Sequence, residues 1–264
     1  VELRFISESQ MSTNIKKTVK ELTSIIDARP PNIANILIYV REHIDDAHVC
    51  ERGVQAAWNL MFYEASNKKR ALDAEIIELC KETLVLHARH KQVGRPIVRN
   101  ALFVFKEMAN VCESTSEKIK ATHKKQIFDR CMEMGLSNII IDYLKLYSGT
   151  VGGYVFDPKI QEAGAASLGW CCLKATKDYK AKVIAYGGVE RMEFILKTCS
   201  KNPHILRYAK WTFNMLLEAK EEYERDMLIE RERIERQKMI LKMAKGAKLN
   251  DGKKKKEKES NVYR

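Results

Sequence analysis

The sequence predicts an all-α chain in which similar helical units stack on one another. Three observations lead there. Of 264 residues only 12 are Gly and 5 are Pro, too few for an all-β chain, which needs a turn every ~8–12 residues. A short pattern recurs four times: a small residue, a spacer, a ring or another small residue, one more position, then a large apolar side chain. Each copy follows a segment whose apolar residues fall at helical spacing. Hydrophobic residues make up 45% and charged residues 31%, a balance that supports a packed core.

Residues 1–30 form an N-terminal segment expected to be partly helical. Its opening, VELRFISESQ, lacks the basic and apolar regions of a signal peptide. Residues 31–217 hold the repeats. The copies are Ala56-x-Trp58-Asn59-Leu60, Ala101-x-Phe103-Val104-Phe105, Gly164-x-Ala166-Ser167-Leu168 and Ala209-x-Trp211-Thr212-Phe213. Their small residues are separated by 45, 63 and 45 positions, and helical repeats of ~40–47 residues are a known class. The long middle interval predicts an insertion, placed at 148–159, where SGTVGGYVFDPK carries three Gly and a Pro. A second apolar helix precedes each copy, at 32–44, 74–88, 135–147 and 187–199. Each unit therefore reads as a helix, a break and a second helix. The small residue falls where two backbones cross closely. One such pair cannot bury its own apolar face, so the units must stack.

These residues resemble the armadillo-repeat family. The resemblance is carried by VQAAWNL (54–60), IQEAGAASL (160–168), and AYGGVERMEFIL (185–196) followed by ILRYAKWTF (205–213). It covers about 31–220 as roughly four units, and HEAT repeats share the same period. It implies a right-handed α-solenoid with a concave groove and an activity of protein binding. Members that grip extended peptides, such as importin alpha, carry an Asn four residues after the Trp. Here Phe62 follows Trp58 and Met215 follows Trp211 at that spacing. A more apolar partner surface, such as a helix, is expected instead. The groove candidates are Trp58, Phe62, Phe103, Trp211 and Met215. Trp58 lies about 200° around the helix from Ala56. If Ala56 faces inward, Trp58 points to the groove or to the adjacent repeat.

Residues 218–246 change texture. They are dense in Glu, Arg and Lys, contain no Gly before Gly246 and no Pro, and pair opposite charges at i,i+4, as in Glu221–Arg225. One long charged helix is expected. Met227, Ile234 and Leu241 recur every seven residues with charged residues largely filling the positions between. Residues 247–264 are expected to be a disordered basic tail in which Lys253, Lys254, Lys255 and Lys256 supply electrostatic contact.

The formal net charge of +12 favours acidic partners. Phosphate-loop, zinc-protease and nucleophile-elbow motifs do not occur. His87 and His90 share a helix with Cys80, but a metal site would need a second element and a supporting shell. Seven cysteines without a CxxC pair read as reduced, buried thiols in the cytoplasm, with cytoskeletal or nuclear settings also consistent. The sequence thus predicts a non-enzymatic interaction scaffold or adaptor, a subunit of a larger assembly with a cytoskeletal one among the candidates, with no cofactor, no metal and no membrane span. A nucleic-acid-binding helical repeat is the alternative, on the strength of Lys68, Lys69, Arg70, Arg89, Lys91, Arg95 and Arg99.

Overall fold

The computed structural model describes residues 13–28, 31–109, 129–149, 154–173 and 175–262. The helices, in order, are α1 (Thr13–Ile26), α2 (Ile33–Glu42), α3 (Ala47–Tyr63), α4 (Ala65–Asp73), α5 (Ile76–His87) and α6 (Gly94–Ala109). They continue with α7 (Leu136–Leu146), α8 (Pro158–Leu173), α9 (Lys177–Ala185), α10 (Gly188–Thr198) and α11 (Pro203–Val262). No strand occurs among the described residues. The chain divides into two compact units, Val1–Leu217 and Glu218–Arg264.

Local chemistry sets the helix starts. The side chains of Asn32, Asp46 and Thr176 accept backbone N–H groups at the starts of α2, α3 and α9, removing donors that would otherwise be orphaned. Asp157 caps α8 through Lys159 and Ile160, and Asn202 caps α11 through His204 and Ile205. In both, a proline occupies the first helical position, where no N–H is needed. The helices α5, α7 and α10 each open on a left-handed residue: Glu75 at φ 58°, Gly135 at φ 60° and Gly187 at φ 95°.

In the first unit α3, α6 and α8 pack side by side, and each takes its own partner: α2 on α3, α5 on α6, α7 on α8. The start of α11 continues the row, since Thr212 donates to the Ala165 carbonyl of α8 at 2.8 Å. The four small residues of the recurring pattern are all buried: Ala56, Ala101, Gly164 and Ala209. A Cβ on Gly164 would stand 2.5 Å from Leu144 Cδ2, so this crossing of α7 and α8 admits glycine alone without a shift. The helix α8 is buried nearly all round, as a central helix apolar on every side must be.

Three features depart from the expected layout. Two of the units carry a further short helix, α4 before α5 and α9 before α10. The sequence KKRAL within α4 is rich in good helix formers. The extra length of the middle interval is shared: 110–135 separates α6 from α7, where only 64–75 separates α3 from α5, while 147–157 holds a smaller excess. The expected insertion at 148–159 is therefore one part of it; residues 150–153 lie outside the described residues. Finally, 247–262 are helical, not the disordered tail expected, because Lys, Glu and Ala sustain the helix through Gly246 and Gly252. Of the expected segment 1–30, residues 13–26 are helical, while 1–12, 29 and 30 lie outside the described residues.

Candidate functional site

The row of α3, α6, α8 and the start of α11 positions its recurring aromatic residues beside one another. Trp58 of α3 stacks on Phe103 of α6, with ring centroids 4.7 Å apart and planes 17° from parallel. Phe62, one turn beyond Trp58, lies 6.4 Å from its ring and 5.3 Å from Tyr63. On the other side, Lys106 of α6 places its Nζ 5.8 Å from the Phe103 centroid and 4.9 Å from that of Tyr208 on α11. One turn along, Trp211 meets Trp170 of α8 edge to face at 5.2 Å. The geometry is that of favourable aromatic and cation–π pairs. Together these side chains form a strip across four helices.

The strip is wet at one end and half-buried in its middle. Phe62 is 60% exposed and Tyr63 is 83% exposed, whereas Trp58, Phe103, Trp170, Tyr208, Trp211 and Met215 are half-buried. Of the expected groove residues, Trp58, Phe62 and Phe103 are thus in one cluster. Trp211 joins it through its own helix by Tyr208 and Lys106, and Met215 lies one turn further along α11, packed against the core. The indole N–H groups of Trp58 and Trp170 are buried without an acceptor. The seat of Trp211 is Gly169: a Cβ there would fall inside the contact distance of the indole and of Thr212 Oγ1. The side chains of Lys253, Lys254, Lys255 and Lys256 lie outside the described residues.

Reading from sequence missed Tyr63, Lys106, Trp170 and Tyr208. A signal for Trp170 was present. It stands four residues after Ala166, the same step that leads from Trp58 to Phe62 and from Trp211 to Met215. Lys106 left no such mark, because its role depends on the distance between α6 and α11.

The charges beside the strip are engaged. Lys106 faces Glu162 at 3.8 Å, and Lys68 of α4 bonds Glu107 of α6 at 3.2 Å with both side chains mostly buried. Of the other basic residues named from sequence, Lys69 of α4 pairs with Asp73 and Arg95 of α6 with Asp157. The expected histidines serve structure: His87 Nε2 contacts the Ile44 carbonyl at 2.6 Å, and His90 Nδ1 accepts from the backbone of Gln92 and Val93. Burial pushes the thiols of Cys50 and Cys172 up to about 12, which keeps them protonated and unreactive near neutrality. No group of His, Cys, Asp and Glu with metal-binding geometry occurs among the described residues. No helix among them is long and apolar enough to cross a membrane.

The chain matches no protein-family model, no curated protein and no solved structure.

Proposed function

We propose that this chain is a non-enzymatic protein-interaction scaffold, with its first unit arranged as a right-handed α-solenoid of about four armadillo-like units. The observation that carries this reading is the aromatic strip. It crosses α3, α6, α8 and α11, and it ends in two large rings that are mostly in water. Two exposed aromatic rings at the end of α3, continuous with half-buried rings on the helices beside it, are characteristic of a binding surface rather than of a solvated face. The row of α3, α6, α8 and the start of α11, each with a buried small residue of the recurring pattern, supports the repeat arrangement. The partner fitted to this strip is a protein with an apolar face, such as an amphipathic helix.

Nucleic acid is the weaker reading. A basic array for phosphates needs unpaired cations in line with the rings. Here Lys68, Lys69, Lys106 and Arg95 already face carboxylates.

The test is affinity capture from nuclease-treated lysate with the chain and with a folded Trp58→Ala/Trp211→Ala double variant. The expected result is a protein partner retained after nuclease and lost by the variant. Retention by the variant overturns the strip as the binding surface. Capture that vanishes with nuclease and falls steeply with salt replaces the scaffold reading by the nucleic-acid one.

A further inference from the structure

The second unit presents a different surface. In α11 every residue from 221 to 240 is exposed. Seven of them are large and apolar, between 40% and 64% exposed: Tyr223, Met227, Leu228, Ile229, Ile234, Met239 and Ile240. These side chains give the helix an exposed apolar surface of the kind that marks an interaction site. At ~100° per residue, Tyr223, Met227 and Ile234 fall within about 40° of one another and form one stripe.

Charge along the helix is polarised. Residues 221–230 hold five carboxylates against one arginine, and 231–240 hold four cations against two carboxylates. The arrangement is also symmetric about Ile234. Glu230 and Lys238 stand equal steps before and after it, at about 40° to either side of the stripe. Met227 and position 241, a leucine in the sequence, stand equal steps further out. A second copy laid antiparallel across Ile234 would therefore set Ile234 on Ile234, Met227 level with position 241, and Glu230 level with Lys238, twice. It would also lay the acidic stretch 221–230 beside 238–247 of the other copy, whose sequence holds Lys238, Lys242 and Lys245 and no carboxylate. A parallel copy would set like charge beside like charge along the whole length, which is destabilising.

We propose that the helix about Ile234 is a self-association surface whose occupant is a second copy of this chain, paired antiparallel about a two-fold axis at Ile234. Glu230 already bonds Arg233 of its own helix at 2.8 Å. That pair leaves its position unchanged and does not compete with a cation across the seam, since a carboxylate accepts more than one donor. This inference does not depend on the aromatic strip of the first unit, and its failure would leave that reading intact.

The test is sedimentation of the full, nuclease-treated chain from ~1 to ~100 μM, a range that covers weak to moderate pairing. A concentration-dependent dimer is expected. Glu230→Lys and Lys238→Glu, each checked for unchanged helicity by circular dichroism, should each weaken it about tenfold through two like-charge contacts. An equimolar mixture of the two variants should restore it, because both contacts become complementary in the mixed pair. Under mild oxidation Ile234→Cys should cross-link to itself and Met227→Cys should not. A monomer at every concentration, variants without effect, a mixture that stays dissociated, or equal cross-linking at 227 and 234 would each overturn the proposal.

Discussion

Glu75 holds a left-handed backbone conformation, φ 58°, at the position where Gly135 and Gly187 open the corresponding helices. A side chain there costs about 1–2 kcal/mol of backbone strain that glycine avoids. Its ion pair with Arg41 is half in water on both sides, and such pairs contribute little. Glu75→Gly should therefore stabilise the fold by about 0.5–1 kcal/mol in urea unfolding, after the entropy of the added glycine. Gly53 is the converse case. A Cβ there would overlap Val40, a buried side chain with a stiff rotamer, so Gly53→Ala should cost about 1–3 kcal/mol by overpacking. His48 adds a pH dependence. Burial holds its pKa below 6.5, with His90 and Arg52 acting the same way and Asp46 opposing them. The folded state thus binds fewer protons than the unfolded one. Its contribution is present above about pH 6.5 and is lost as pH falls from there through the lower folded value. Stability measured at about pH 5 should be lower than at about pH 7, and His48→Gln should flatten that slope; an unchanged slope would remove His48 as its source.

At the scale of the helix, hydroxyl groups join neighbours through carbonyls that already serve their own helices. Ser167 of α8 donates to Leu102 of α6 at 2.9 Å, and Thr212 of α11 donates to Ala165 of α8 at 2.8 Å. Ser167→Ala and Thr212→Ala should each cost about 1 kcal/mol, measured by thermal or urea unfolding. Much of this layer was legible beforehand. The small positions Ala56, Ala101, Gly164 and Ala209 marked the helix row because only a short side chain lets two backbones approach. The aromatic residues beside them followed from the same alignment. What could not be read were contacts between distant elements. Lys106 meets Tyr208 across a hundred residues of chain, and no local pattern encodes that distance. The helices α4 and α9 were missed because both are short and α4 is dominated by polar and charged residues. The continuation to Val262 was missed because a lysine run reads as solvated coil, although the same residues favour helix.

At the scale of the molecule, the two units differ in how their helices are supported. In the first, α8 is buried almost completely between its neighbours. In the second, residues 221–240 touch solvent on every side. Hydrogen exchange at high dilution should separate them. Amides of α8 should exchange only with opening of the unit, while those of 221–240 should exchange at least about a hundredfold faster, since packing supplies most helix stability.

The hydroxyl links have a mechanical consequence. Tyr143 reaches the carbonyl of Leu84 and Tyr147 that of Ala88, as Ser167 and Thr212 reach theirs. Burial pushes the Tyr143 phenol up to about 12, so it remains a donor at any physiological pH. Apolar faces alone would let one helix slide along another at modest cost, because their attraction has no direction. Each directed bond removes that freedom. Under tension the first unit should thus resist sliding and yield in discrete steps as links break, and in single-molecule pulling a Tyr143→Phe/Tyr147→Phe variant should yield at lower force at the α5–α7 boundary while the α8–α11 boundary holds.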